Sequence, residues 1–214
     1  MDESNHHAFQ FVNDNQYMIE LSLQKSQYPE IVNKLLTAEK IMTTESPKLS
    51  RHDSKAYKIF KYYEPHHIHA QFRVCDYEFT ELNRQGNIDP IKIQRIIQRL
   101  QKPVSQGYHH AKYLLSGIYF LNPCMREESD RLLKEAASWE LVVEEEEKVY
   151  INAEAKIEYA FNCLMKDENN YELAKGLLYE AYCTDDQFLS DRVKKFMRDC
   201  SNCFNRPVPN WAKN

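Results

Sequence analysis

With 28 basic and 32 acidic side chains, the 214-residue chain has a net charge of −4, which gives no electrostatic reason to expect nucleic acid or an anionic membrane as a partner. No apolar run approaches the roughly 18 residues that a membrane span requires, and the polar start MDESNHHAFQ lacks the features of a signal peptide. We therefore expect a cytoplasmic protein, or a periplasmic one if a leader was removed.

The residue types and their spacing predict an all-α fold. The chain has only 4 Gly and 8 Pro, and strand-like alternation is rare. Segments rich in Leu, Ile, Ala, Glu, Lys and Gln place apolar residues at i, i+3, i+4 and i+7, as amphipathic helices do. Helices are predicted over residues 16–25, 29–43, 54–63, 66–84, 91–101, 107–121, 129–137, 145–165, 171–183 and 185–204.

Three alanines recur at intervals of about 40 residues, each in the first helix of a predicted hairpin: Ala70, Ala111 and Ala155. The second helices of the hairpins align through Ala56, Ile93, Ser129 and Ala174. A period of this length with two helices per repeat is typical of an α-solenoid of stacked antiparallel helix hairpins.

The repeats resemble the Sel-like repeat family, which is related to the tetratricopeptide repeat. One copy fits the family pattern through Gly107, Ala111, Leu115, Tyr119, Ala136 and Ala137, although Ser116 stands where the family prefers Gly. A looser copy follows through Ala155, Tyr159, Ala160, Cys163, Ala174, Leu177 and Ala181. A degenerate copy precedes both through Ala56, Ala70, Val74 and Cys75.

The resemblance covers about three degenerate copies over residues 53–183. We expect residues 1–52 to form an N-terminal helical cap and residues 184–204 a C-terminal capping helix. Residues 205–214 form a Pro-rich tail that we expect not to be helical. All of these parts are expected to form one continuous domain.

The resemblance implies binding and no catalysis. Arrays of this kind are usually non-catalytic adaptors or scaffolds that hold another protein or a peptide on their concave face, and some small bacterial members are immunity proteins that neutralise a toxin. We therefore expect a non-enzymatic protein, without a cofactor, that binds another protein. An immunity-type inhibitor of a cognate toxin or effector is the alternative, and the oligomeric state stays open.

Repeat geometry predicts which side chains line the concave face. The first helix of each hairpin lines that face through the positions one before and two, six and nine after the signature alanine. These positions hold His69, Phe72, Asp76, Phe79, His110, Tyr113, Gly117, Phe120, Glu154, Ile157, Phe161 and Leu164. Aromatic residues are numerous among them, and aromatic residues are enriched where proteins bind proteins. Burial between helices is the alternative for each.

A histidine cluster suggests a metal-dependent enzyme as an alternative of another class; its members are His66, His67, His69, His109 and His110. His69 and His110, however, occupy the same repeat position, which Glu154 fills in the third copy. This favours polar residues of the fold over metal ligands. No nucleophile elbow, phosphate-binding loop or paired carboxylate motif is visible, so we expect no metal site and no catalytic residue.

Three further features have structural interpretations. Cys200 and Cys203 lie near the end of the last predicted helix, where the helix dipole disfavours a thiolate, so we expect no redox or zinc role. The acidic run at residues 144–147 is interpreted as the solvated start of a helix, with an acidic docking patch as the alternative. Trp211 is expected to pack on the last helix or to reach a partner.

Overall fold

The computed structural model describes residues 29–45, 50, 52–86, 89–138, 140–143, 147–150, 153–183 and 187–213. The helices in this part are α1 Pro29–Thr44, α2 Lys55–Tyr63, α3 Ile68–Arg84, α4 Pro90–Ser105, α5 His109–Phe120, α6 Arg126–Ala137, α7 Ala153–Lys166, α8 Tyr171–Tyr182 and α9 Gln187–Cys203. Short 3-10 turns cover Pro123–Met125, Glu168–Asn170 and Asn210–Ala212, and two strands, β1 Glu140–Val143 and β2 Glu147–Tyr150, form a hairpin.

The chain folds into two compact units, Met1–Ile118 (unit 1) and Tyr119–Asn214 (unit 2), and the boundary falls inside the predicted repeat region. In unit 1, α1 packs on α2, α2 on α3 and α3 on α4. In unit 2, α6 packs on α7, α7 on α8 and α8 on α9. Within each unit, these successive helices are therefore neighbours in space. This confirms the predicted all-α fold class of stacked antiparallel hairpins.

Local signals in the sequence account for several helix ends. The Ser54 side chain caps α2 by accepting a hydrogen bond from the backbone N–H of Tyr57 at 2.9 Å. Asp89 caps α4 in the same way, and Pro90 follows at the first helical position, where its missing N–H costs nothing. Gly86 has a φ of 65° just after α3, a left-handed conformation that glycine adopts without strain.

The signature alanines lie in the interior of the helix packing. Ala70, Ala111 and Ala155 are all fully buried, and a methyl side chain lets a neighbouring helix come near without leaving a void. Around Ala70, the core of unit 1 is formed by Val32, Leu35, Ala38, Ala56, Tyr57, Phe60 and Val74. Ala56, Ala70 and Val74, through which the first copy was aligned, all belong to this core.

The core of unit 2 joins α7, α8, α9 and the C-terminal tail. Its buried residues include Ile157, Ala160, Leu164, Tyr171, Ala174, Leu178, Ala181, Val193, Met197 and Ala212. Trp211 packs on this core with its ring stacked on Tyr182 at 5.3 Å between centroids, and Arg198 donates to the Ala212 carbonyl at 2.8 Å. The tail was predicted to be non-helical. This prediction is wrong for Asn210–Ala212, which form a single 3-10 turn.

The prediction of one helix over residues 145–165 is wrong in its first part. The chain there forms the β1–β2 hairpin, in which Glu140 pairs with Tyr150 and Val143 with Glu147, and α7 begins only at Ala153. Valine and tyrosine favour strands, and the two short runs that contain them, Glu140–Val143 and Glu147–Tyr150, pair with each other. The predicted helix at residues 16–25 lies outside the described residues.

Pro103 does not end α4, as the sequence suggested, but lies inside its last turn, which continues to Ser105. A proline lacks the N–H that would bind the carbonyl four residues earlier, here that of Arg99. The side chain of Gln71 on α3 supplies the missing donor, with Nε2 at 2.8 Å from the Arg99 carbonyl oxygen. The helix therefore continues because a neighbouring helix satisfies the carbonyl that the proline leaves open.

None of the helices in the described part of the chain combines the length and the apolar run needed to cross a lipid bilayer.

Candidate protein-binding surface

The first helices of successive hairpins contact one another within each unit. In unit 1, Glu39 of α1 binds His69 of α3, and the His69 ring in turn contacts Tyr108 at the start of α5. In unit 2, α7 contacts α9 twice, through Glu154 with Arg192 and through a ring contact farther along both helices. The side of the hairpins that was predicted to bind a partner is therefore the side on which first helices meet.

In unit 1 this meeting is a buried polar network centred on Glu39, which is fully buried. Arg73 donates to both carboxylate oxygens, from Nε to Oε1 at 2.8 Å and from Nη2 to Oε2 at 2.5 Å. His69 Nε2 lies 2.6 Å from the same Oε1, and its Nδ1 lies 2.6 Å from the Tyr108 hydroxyl. When Nε2 donates to the carboxylate, a neutral His69 accepts the Tyr108 proton at Nδ1. The carboxylate charge is thus paired and hydrogen-bonded throughout.

The two carboxylates of this network have opposite pKa shifts. Burial alone would raise the pKa of Glu39, but the charge of Arg73 and the hydrogen bonds from His69 and Arg73 outweigh it and lower the pKa to about 2. Asp76 accepts a longer bond of 3.2 Å from Arg73. For Asp76 the loss of hydration prevails and raises the pKa, although Arg73 opposes this shift. Glu39 is therefore the permanent anion of the network.

We expect the stability of unit 1 to fall in acid because of Glu39. A folded-state pKa of about 2, below the ordinary value of 4.5, means that Glu39 contributes stability fully above about pH 5 and loses it as the pH falls towards 2. The urea midpoint, followed by far-ultraviolet circular dichroism, should decrease over this window. In the Glu39→Gln variant the decrease should be smaller. An equal decrease in both proteins would assign the acid sensitivity to other groups.

The structure corrects most of the predicted concave-face positions. Eight of them are buried: His69, Phe72, Phe79, His110, Tyr113, Glu154, Ile157 and Leu164. Asp76 is half-buried, as is Gly117, while Phe120 and Phe161 are exposed. The physical reason is that neighbouring first helices fill this side with their own side chains. Phe72, for example, lies with its ring centroid 6.0 Å from His110 and 5.6 Å from Tyr108.

The histidines serve the packing of unit 1. His67 caps α3 by accepting a hydrogen bond at Nδ1 from the backbone N–H of His69 at 3.2 Å, and His69 belongs to the Glu39 network. Among the residues that the structure describes, no group of three His, Cys, Asp or Glu side chains is arranged to hold a metal ion.

An apolar surface remains open in unit 2, where α7 and α9 meet. Phe161 and Met165 lie one helical turn apart on α7 and are 46% and 71% exposed, whereas Leu164 between them points into the core and is 6% exposed. The ring of Phe196 on α9 is half-buried and lies 5.9 Å from that of Phe161. We call Phe161, Met165 and Phe196 the α7–α9 surface.

Polar pairs lie near both ends of α7. Glu154 is buried, and Arg192 Nη1 donates to its two oxygens at 3.0 and 3.1 Å. At the other end of α7, Lys166 binds Asp130 of α6 at 2.5 Å. An apolar centre with polar groups around it is the usual anatomy of a protein-binding site. Here one polar pair joins α7 to α9 and the other joins α7 to α6.

The predicted concave-face positions include Phe161 but not Met165 or Phe196. Met165 lies ten residues after Ala155, one step beyond the positions that were assigned to the concave face. Its spacing of four from Phe161 would have placed it on the same helical stripe. Phe196 lies in α9, outside the three repeats, so no repeat position pointed to it.

Phe120, the other exposed aromatic of the prediction, is partly covered. The guanidinium of Arg126 lies 3.7 Å from its ring centroid, within cation–π distance. Leu121 beside it is 53% exposed. Arg126 occupies one face of the Phe120 ring, and the exposed fraction of Phe120, 45%, is nearly that of Phe161, 46%.

Cys200 of the C-terminal pair lacks the character of a reactive thiolate. Cys200 is buried against the core of unit 2, and burial raises its pKa to about 11. Cys203 is exposed one turn later at the end of α9. At neutral pH Cys200 is therefore a thiol, which agrees with the position of the pair near a helix C-terminus.

Comparison of the chain with protein-family models, with curated proteins and with solved structures finds no match.

Proposed function

We propose that the protein is a non-catalytic helical-repeat adaptor that binds another protein, and that the α7–α9 surface is where the partner docks. The repeats are proposed to be of the Sel-like type, since their signature alanines are all fully buried where the helices meet. The proposal concerns binding alone, because the buried carboxylates of the first helices already have partners within the fold. Glu39 binds Arg73 and His69, and Glu154 binds Arg192.

One observation supports this proposal more than any other: two large apolar side chains lie exposed on the side where first helices meet. Phe161 and Met165 are 46% and 71% exposed although the helix that carries them is otherwise firmly packed. Exposed apolar side chains that occur singly are ordinary, but a cluster with a third apolar ring beside it marks an interaction site. Aromatic and Met side chains are enriched at the centres of such sites.

We expect the double variant Phe161→Gln with Met165→Gln to lose partner binding while keeping its fold. The experiment is affinity capture with the tagged full chain from cells that make the protein, followed by mass spectrometry. Recovery of a specific partner should fall about tenfold or more, since central apolar residues carry most of the energy of an interface. Circular dichroism and the urea midpoint should stay close to those of the wild type.

The matched control removes two equally exposed apolar side chains elsewhere, Tyr62→Gln and Leu173→Gln, which are 73% and 50% exposed. The control variant should recover the partner as the wild type does. If both variants lose the partner to the same extent, general surface apolarity is responsible. If neither does, the α7–α9 surface is not the docking site.

A further inference from the structure

Helix α4 carries a line of cations on one face and no acidic residue at all. Its basic residues are Lys92, Arg95, Arg99 and Lys102, at i, i+3, i+7 and i+10. This spacing places all four on a single stripe of the helix. With a rise of 1.5 Å per residue, the stripe is about 15 Å long. We call it the α4 stripe.

Arg99 is already neutralised by two carboxylates of unit 1. Its Nη1 donates to Glu78 Oε2 at 2.6 Å, and its Nη2 donates to Glu64 Oε1. The remaining oxygens of both carboxylates are also occupied, by the Tyr57 hydroxyl at 3.1 Å and by Lys61 at 2.6 Å. Glu64 and Glu78 are therefore not available to the other cations of the stripe.

The other three cations of the α4 stripe stay unpaired. Lys92, Arg95 and Lys102 are exposed, and within the described part of the chain none of them forms an ion pair or a side-chain hydrogen bond. Three unpaired positive charges on one face stand out in a chain whose net charge is −4. Such a face attracts an anionic partner by its local potential, although the molecule as a whole is acidic.

We propose that the α4 stripe docks an acidic segment of another protein. Ile91 lies at the edge of the stripe and is 66% exposed, so the surface offers an apolar contact beside the charges. An extended peptide advances about 3.3 Å per residue, and a segment of about five residues therefore matches the length of the stripe. Carboxylates of that segment bind the three cations, and one of its apolar side chains covers Ile91.

The observations favour an acidic protein over a nucleic acid. Because the net charge of the chain is −4, a long polyanion that extends past the stripe is repelled by the rest of the molecule. Single-stranded nucleic acid also binds through aromatic side chains on which bases stack, and the exposed apolar residue beside the stripe is an isoleucine. The stripe lies in unit 1 and the α7–α9 surface in unit 2, so this proposal and the proposed function can fail independently.

The test is fluorescence anisotropy of the full chain with a labelled peptide of about twelve residues that repeats Glu-Glu-Leu. The stripe variant carries Lys92→Gln, Arg95→Gln and Lys102→Gln, changes that keep a good helix former at each position. We expect its affinity for the peptide to fall about tenfold. The affinity of the wild type should itself fall when salt is raised, because exposed charges are screened.

The matched control carries Lys34→Gln, Lys40→Gln and Lys58→Gln, three exposed lysines of the same unit without partners among the described residues. It has the same net charge as the stripe variant and should bind the peptide as the wild type does. A charge-keeping variant, Lys92→Arg with Lys102→Arg, should also bind normally, which separates loss of charge from loss of fold.

Three results would overturn the proposal. In the first, the wild type does not bind the acidic peptide more tightly than a Lys-Lys-Leu peptide of equal length. In the second, the stripe and control variants lose affinity equally, which means that net charge alone attracts the peptide. In the third, a labelled single-stranded oligonucleotide of equal charge binds the stripe more tightly than the peptide, which would assign the surface to nucleic acid.

Discussion

The Glu39→Ala variant is expected to lose about 3–5 kcal/mol of the free energy of unfolding, the usual cost of removing one partner from a buried ion pair. Glu39 is fully buried and binds both Arg73 and His69. Without the carboxylate, the Arg73 guanidinium stays in the interior with less of its charge compensated. The measurement is urea unfolding at neutral pH, followed by circular dichroism.

The control is Glu30→Ala in the same helix. Glu30 is exposed in the first turn of α1, where its charge interacts with the helix dipole alone, so the loss should stay below about 1 kcal/mol. A second variant separates pairing from packing. Glu39→Leu combined with Arg73→Met removes both charges and should be more stable than Glu39→Leu alone. Equal losses for Glu39→Ala and Glu30→Ala would show that the network does not stabilise unit 1.

The Leu178→Ala variant is expected to lose about 2–5 kcal/mol, because truncating a buried leucine removes apolar contacts and leaves a cavity. Leu178 is fully buried in the core that α8 shares with α7 and α9. Since α8 packs against both of these helices, the loss should also loosen the α7–α9 surface. Urea unfolding measures the first effect, and partner capture measures the second.

Leu173 on the same helix provides a matched control. It is the same residue type, five positions earlier, and it is 50% exposed. The Leu173→Ala variant should change the free energy of unfolding by about 0.5 kcal/mol at most. If Leu178→Ala were equally mild, α8 would not be the element that holds the core of unit 2 together.

The sequence predicted the helices well wherever the deciding signals are local. Ser54, Asp89 and Gly86 act on the backbone of their immediate neighbours, so their residue types alone indicate where a helix begins or ends. The buried alanines could be found because a repeat places them at equal intervals, and equal intervals are visible without coordinates.

The errors occurred where the deciding partner is distant in sequence. Glu147 belongs to an acidic run that resembles a helix start, and only its pairing with Val143 of β1 shows that the chain at Glu147 is extended. Pro103 resembles a helix end, and only Gln71 on another helix explains why α4 continues. Strand pairing and side-chain satisfaction across helices leave no local signature, and propensity is easily overridden by them.

In the candidate site, too, local spacing could be used for prediction, whereas partners that are distant in sequence could not be foreseen. Helical spacing predicted which side chains share one side of the first helices, but it could not show which residues of other helices lie against them. His69 faces Glu39, thirty residues earlier, and Glu154 faces Arg192, so both are interior groups. Phe161 lies on the same side of α7 as Glu154, but it stays exposed because Phe196 covers only part of its ring.

Site-specific photo-cross-linking tests the proposed α7–α9 surface most directly. Phe161 is replaced by p-benzoylphenylalanine in the full chain, and Leu173 is replaced in a matched protein, since both positions are exposed to nearly the same extent, 46% and 50%. After irradiation of cells that make the protein, we expect one defined cross-linked partner from position 161 and none from position 173. Equal cross-linking from both positions, or cross-linking from position 173 alone, would contradict the assignment of partner binding to the α7–α9 surface.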